Sequence, residues 1–359
     1  MSDIDKLRAS EHFDAEWYLT QYPDVAALGM DPAEHYLKYG RMLGRAPNQK
    51  ARRPVFLGVA SIPERKGLLE KTLESIIDQV DHIFVHLNHY RTVPAFLHNP
   101  KISITRSQKI GDLRDTGKFF SLDRVPSNSI FFSIDDDIIY PPDYVEKMCE
   151  TLANSDYQCV VGVHGVVYPR KTTSFFDRIS FHFMRELPCD LPVSLLGTGT
   201  IAFPVSLLRP DMNHFPTHGM ADIHFAKLAK LKGIPLIARS RQDNWLFDDE
   251  EAAKLEGNLY RETKKDASEH NAQLTSSNPW GFADIIDRLG GSSSATDLTL
   301  SDEARAFLKH GLWIENGCVG KPPTAPASTD TLTIAQMAKM NSLIIGAGNT
   351  ALIDRGFDE

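Results

Sequence analysis

Cysteine is scarce: four thiols, Cys149, Cys159, Cys189 and Cys318, are spread over 359 residues. None stands at C-x-x-C spacing, which disfavours both a zinc site and a disulfide framework, and the four read as reduced structural thiols. Long apolar runs are missing too. No stretch approaches the ~20 residues needed to cross a bilayer, and residues 1–10 lack the apolar core of a signal peptide. The expectation is a cytoplasmic protein without a transmembrane segment, with peripheral attachment at the inner face of a membrane left open. Positive charge is in deficit. The 39 Lys and Arg residues face 47 Asp and Glu, for a net charge of −8 and a pI near 5.9, whereas a nucleic-acid partner normally demands a basic face.

What is present is ordinary globular material, 42% hydrophobic and 24% charged, enough for one large α/β domain with extensions. The organising stretch is residues 129–144. Ser-Ile-Phe-Phe-Ser-Ile reads as a buried strand, and Asp135, Asp136 and Asp137 follow at its carboxyl end, too costly to bury without a cation. Pro141 and Pro142 then set up a helix with Val145, Met148, Cys149 and Leu152 at i, i+3, i+4 and i+7. Carboxylate oxygens suit Mg2+ or Mn2+, which take one or two of them and complete their shell with phosphate and water. The plainer alternative is a solvated acidic turn.

Around this stretch strands alternate with helices. Val55 to Ala60, Ile83 to Leu87 and Ile102 to Thr105 read as strands, and Leu69, Leu73, Ile76 and Ile77 line one helix face, which indicates a mainly parallel sheet covered by helices. Ligands of such sheets bind beyond the carboxyl ends of the strands, where Arg65 and the acidic triplet fall. Three further segments carry candidate chemistry. In residues 110–120, Asp112 or Asp115 is suited to accept from a base N–H and Lys118 to neutralise a phosphate oxygen, against the alternative of an N-capped helix start. Residues 195–203 contain Gly197, Thr198 and Gly199 before a strand, a pattern also compatible with a plain turn. Asp222 opens a helix with Phe225, Leu228 and Ala229 inward, either as a cap or as a reactive acid. Residues 168–188 read as a long aromatic loop of the kind that faces a ligand. Residues 11–47 are dense in aromatic residues (Phe13, Trp17, Tyr18, Tyr22, Tyr36, Tyr39) and are punctuated by Pro and Gly into two or three short helices.

Together these segments resemble the GT-A glycosyltransferases, particularly bacterial family-2-like enzymes, in which a strand, an Asp-Asp-Asp run and a Tyr-Pro-Pro-Asp-Tyr helix start occur together. The resemblance spans about residues 54–250, and residues 11–47 resemble a small helical module found beside such enzymes. It implies a GT-A domain over 51–285, a Rossmann-like α/β fold with a mainly parallel sheet and helices on both faces. A helical module at 1–50 and a helical or linker extension at 286–359 would flank it. It further implies a nucleotide-sugar donor, of UDP type, held by Pro63, Arg65, Asp112, Asp115, Lys118, Asp135, Asp136, Gly197, Thr198 and Gly199. Asp135 and Asp137 would hold Mn2+ or Mg2+, and Asp222 would serve as general base for an inverting transfer to a glycan or lipid-linked glycan hydroxyl in surface polysaccharide assembly. An inverting displacement needs no enzyme nucleophile, which agrees with the absence of Ser/His and Cys/His signatures. One departure stands out: Ser240 and Arg241 occupy the neighbourhood where the family often carries a metal-binding His. That leaves a third ligand unassigned, with His214 and His218 as candidates. A retaining transferase and a non-catalytic nucleotide- or carbohydrate-binding scaffold are the alternatives.

Overall fold

The computed structural model describes residues 2–168, 171–187, 190–249 and 259–280. The expected extension at 286–359, with its short helices at 302–309 and 334–343, lies outside the described residues, as do Cys189 and Cys318. Four short helices open the chain: α1 (Asp3–Arg8), α2 (Ala15–Gln21), α3 (Pro23–Leu28) and α4 (Pro32–His35). Ser2, Asp14 and Asp31 cap three of them through side-chain oxygens, and Gly29 ends α3 at φ +63°. Phe13, Tyr18, Val25 and Ala33 form a small core of their own, apart from the main one.

The sheet domain begins at β1 (Val55–Ser61), followed by α5 (Lys66–Ile76), β2 (His82–Leu87), β3 (Ile102–Arg106) and the one-turn α6 (Ser107–Ile110). Next come β4 (Ile130–Ile134), β5 (Ile138–Ile139), α7 (Tyr144–Asn154) and β6 (Val160–Gly162). Four short strands follow: β7 (Gly165–Val167), β8 (Ile179–Phe181), β9 (Leu191–Pro192) and β10 (Leu195–Leu196). The described part closes with β11 (Thr200–Pro204), α8 (Ala221–Lys232), β12 (Leu236–Ala238), β13 (Phe247–Asp248), α9 (Leu259–Lys265) and α10 (Ser268–Thr275).

The main sheet has eight strands in the order β3-β2-β1-β4-β11-β6-β12-β9. Pairing is parallel from β3 to β4, antiparallel where β11 inserts between β4 and β6, parallel again to β12, and antiparallel at β9. Strand side chains alternate between two cores. Phe84 and Phe131 point to the side of Phe225 and Leu228 on α8, whereas Ile83, Val85, Ile130 and Phe132 point to Leu69 and Leu73 on α5 and Met148 and Leu152 on α7. Both faces are therefore covered, and the long apolar strands are buried on both sides, as parallel sheets require. The interval expected as one long loop, 168–188, contributes β8 to a smaller antiparallel sheet in the order β10-β7-β8. Strands of two or three residues are too short to carry a readable alternation. Cys159 is buried and Cys149 half-buried, and burial pushes both thiols up to about 12, in keeping with inert structural thiols. Among the described residues no helix is long and apolar enough to cross a membrane.

Candidate functional site

The acidic triplet leaves the carboxyl end of β4, whose five residues are all buried. The turn is tied down on several sides. The Tyr140 hydroxyl accepts from the Asp135 N–H at 3.2 Å and donates to the Gly199 carbonyl at 2.5 Å. From α5 and the turn after it, Thr72 Oγ1 donates to the Ile138 carbonyl at 3.0 Å and Gln79 Nε2 to the Pro141 carbonyl at 2.9 Å. The Thr198 carbonyl in turn accepts from Ser133 Oγ at 2.6 Å. The glycine turn and the triplet thus form one unit, in which a Cβ on Gly199 would displace the Asp135 carboxylate.

Two cations of the chain itself meet the triplet. Arg65 Nη1 reaches Asp136 Oδ1 at 2.9 Å and Asp137 Oδ2 at 2.8 Å, while Lys118, 4% exposed, pairs with Asp135. Burial opposes the Lys118 charge, but Asp135 and then Asp115 outweigh it and hold its pKa above the usual value. Positive charge remains short. Burial, reinforced by Asp136 and only partly offset by Arg65, pushes Asp137 up to about 7. Burial and then Asp135 push Asp248, on β13, up to about 6. Among the described residues Asp136 Oδ2 is buried without a hydrogen bond of normal geometry, the Ser61 hydroxyl favouring its charge from nearby.

Asp222 joins this network through Thr198. One oxygen, Oδ1, accepts from the Thr198 N–H at 2.8 Å and from its hydroxyl at 2.5 Å, and Lys118 Nζ lies 3.5 Å from the same hydroxyl. Burial raises the Asp222 pKa, and the Thr198 hydrogen bonds followed by the Lys118 charge act against the rise. Asp222 caps nothing: Met220 holds the N-cap position of α8 without a side-chain bond. The acceptor for that helix start is Asp115, whose two carboxylate oxygens take the N–H groups of Gly219 at 2.6 Å and Ala221 at 2.9 Å.

These groups share one cavity of about 540 Å3, within the usual range for small-molecule sites. Of the residues expected from the sequence, Arg65, Asp112, Asp115, Lys118, Asp135, Asp136, Asp137, Thr198 and Asp222 line it. Pro63 opens the 3-10 turn that carries Arg65 and faces a neighbouring depression. Gly197 and Gly199 are not among the lining residues: Gly197 packs on His164, and Gly199 lies against the Asp135 carboxylate. Neither candidate histidine lines the cavity: His214 pairs with Asp211 at 2.8 Å, and His218 with the Thr116 hydroxyl at 2.7 Å. Asp112 is held by His89 at 2.9 Å and accepts the Arg114 N–H at 2.9 Å, which leaves its pKa lowered although burial alone would raise it.

Several lining residues carry no local motif. Asn88 organises the 112–114 loop by accepting from the Leu113 N–H and donating to the Arg114 carbonyl. Arg114, at φ +46°, reaches Glu262 of α9 at 2.5 Å across the rim. Phe175 and His270 approach each other edge-on at 5.0 Å on the far wall. An aromatic residue in the 168–188 stretch was the one available signal, and Phe175 answers to it.

The donor set fits a hard divalent cation. It is all carboxylate and, among the described residues, it exceeds its countercharges and includes a buried Asp136 oxygen without a hydrogen bond of normal geometry, a donor set of the kind hard cations take. Among the described residues, however, no three acidic, His or Cys side chains converge as a ready-made metal cluster; Arg65 bridges Asp136 and Asp137, and Lys118 takes Asp135. No protein-family model matches the chain, and no curated protein matches it.

Proposed function

We propose that this protein is a metal-dependent glycosyltransferase of GT-A type, moving a sugar from a nucleotide-sugar donor, of UDP class, to a hydroxyl of a glycan acceptor with inversion. The observation that carries this reading is the unbroken line Asp135–Lys118–Thr198–Asp222 on the floor of one cavity. It sets a surplus of carboxylates beside a desolvated acid at the carboxyl end of a central parallel strand, where open α/β sheets take their ligands.

Asp135 and Asp137 would hold the ion, which when bound supplies countercharge to the departing diphosphate. Arg65 and Lys118 add fixed positive charge at the same end of the cavity and orient the donor phosphates. Asp222 keeps Oδ1 engaged with Thr198, and its other oxygen, which makes no hydrogen bond among the described residues, would receive the acceptor hydroxyl proton. As the acceptor oxygen bonds to the anomeric carbon, the bond to the diphosphate breaks and the proton passes to Asp222. A raised pKa strengthens Asp222 as a base, while the Thr198 donors and Lys118 favour its ionised form.

A panel of nucleotides and nucleotide sugars, each with and without Mn2+, tests the reading by thermal shift. A ligand that binds only the folded chain stabilises it by about 2.7 kcal/mol at a hundred times its Kd. The expected result is stabilisation by UDP or a UDP-sugar that depends on Mn2+. Melting curves unmoved by every nucleotide, with or without the ion, would remove the donor site.

A further inference from the structure

A second cleft, of about 640 Å3, lies between the aromatic N-terminal module and the sheet domain. Val55 and Ile130, the first residues of β1 and β4, form part of its lining. It therefore sits at the amino ends of the strands, separated from the acidic turn by the length of β1, ~20 Å at the rise of a parallel strand. Its walls are locked together. Arg45 bridges Asp24 of α3 at 2.8 Å and Glu146 of α7 at 2.7 Å, and its guanidinium lies 4.8 Å from the Tyr22 ring centre. Gly44, at φ +69°, rests on the Cys149 carbonyl with no room for a Cβ. The cleft is consequently preformed.

Its lining joins three tyrosines, Tyr22, Tyr36 and Tyr157, to four arginines and to Asp24, Asp78 and Glu146; Arg45 and Arg52 are paired with Asp24, Glu146 and Asp81, whereas Arg41 and Arg53 form no ion pair among the described residues. The Arg53 guanidinium lies 4.1 Å from the Tyr157 ring centre. Tyr157 is held there at a backbone cost. After the end of α7, Asp156 and Tyr157 both take left-handed conformations, at φ +50° and +60°, and the Tyr157 N–H closes the helix end on the Leu152 carbonyl at 2.8 Å. Helix ends of this form ordinarily use glycine, and a bulky residue kept in this region marks a position where strain is tolerated for what the side chain does. What the side chain does here is support an arginine whose hydrogen-bonding edge meets no carboxylate among the described residues.

We propose that this cleft is a saccharide-binding site remote from the cavity at the acidic turn, and that it takes a segment of carboxylate-bearing glycan. Tyrosine rings offer broad amphipathic faces against which sugar rings pack, and the planar forks of Arg41 and Arg53 match a carboxylate in geometry and charge. The assignment rests on the cleft's own lining and stands whether or not the cavity at the acidic turn takes a nucleotide.

Calorimetric titration of the full chain with tetragalacturonate, with maltotetraose and with inorganic phosphate tests it. Tetragalacturonate should bind at least ~5-fold more tightly than either of the others, and Arg53→Gln should lose that margin at an unchanged melting temperature. Tyr157→Ala should weaken the same ligand, with Arg53→Gln deciding the matter if that variant fails to fold. No binding of tetragalacturonate, equal binding of all three probes, or full affinity retained in Arg53→Gln would each overturn the proposal. A parallel titration with UDP and Mn2+ keeps the two sites separate, because either can fail while the other binds.

Discussion

An acid in the first turn of a helix ordinarily stabilises the helix start through its charge and its hydrogen bonds. Asp222 stands in that turn, yet its carboxylate bonds to Thr198, and Asp115, more than a hundred residues earlier, accepts the N–H groups at the head of α8. Capping and reactivity are thereby divided between two residues. Asp222→Asn should keep its melting temperature, because an amide oxygen still accepts from Thr198, and should keep Mn2+-dependent UDP binding. Sugar transfer should fall ~10²-fold or more, since an amide cannot take the acceptor proton; near-normal transfer by the variant would exclude Asp222 as the base. Asp137 offers a second reading at this scale. Its pKa is raised from 3.8 to about 7, so the folded chain binds its proton more tightly than the unfolded chain does. That contribution to stability is complete below the unfolded value and is lost as pH rises through the folded one. Metal-free wild type should therefore lose melting temperature relative to Asp137→Asn between pH ~4 and ~7 and level off above. Identical pH profiles for the two proteins would show that Asp137 titrates normally. The triplet and Asp222 were legible because each sits in a run whose neighbours set its position. The exchange of roles between Asp115 and Asp222 was not, because a cap supplied across 104 and 106 residues leaves no local trace.

Among the elements, β1, β2, β4, α5, α7 and α8 were legible because each buries enough apolar side chains for a run or a period to register, and β3, half-buried along its length, through its alternating isoleucines. The antiparallel insertion of β11 between β4 and β6 follows from tertiary pairing alone, and the two- and three-residue strands give no pattern at all. The least conspicuous element matters most for the site. The 3-10 turn Arg114–Phe119 lies flat on the sheet, and its Lys118 carbonyl occupies the space where a Cβ on Gly58 of β1 would stand. On the same turn Gly117 lies against the buried His86 side chain, again with no room for a Cβ. That contact fixes the height at which the Lys118 ammonium enters the cavity. Backbone cannot yield as a flexible side chain does, so Gly58→Ala should cost ~1–3 kcal/mol. It should also weaken UDP and Mn2+ binding by lifting Lys118 away from Asp135. Denaturant melts together with nucleotide titrations check both halves, and a destabilised variant with unchanged nucleotide affinity would show that the turn moves without carrying Lys118.

At the scale of the whole molecule, one cleft opens at the carboxyl end of β4 and the other at the amino ends of β1 and β4, and the described contacts of the N-terminal module run to α7 beside the second. The module has its own small core around Tyr18, whose hydroxyl bonds to His35 at 3.0 Å, and its described contacts to the sheet domain run through Arg45, Gly44 and the half-buried face of α7. Every charged group in the line from Asp135 to Asp222 belongs to residues after 60. A chain beginning near Lys50 should therefore keep Mn2+-dependent UDP binding and the chemistry at the donor. The same truncation strips Glu146 of its Arg45 partner and bares the Cys149 face of α7. Glu146, 41% exposed, leaves the pair open to solvent although Arg45 is only 10% exposed, and pairs screened in this way contribute ~0–1 kcal/mol, so most of the loss in melting temperature should come from newly exposed apolar surface. Arg45→Ala in the full chain should accordingly cost less stability than the truncation. The decisive comparison is transfer from the correct donor by the two chains: a truncated protein that folds, binds UDP and no longer transfers would draw the module into the reaction, and with it the cleft that Arg45 holds open.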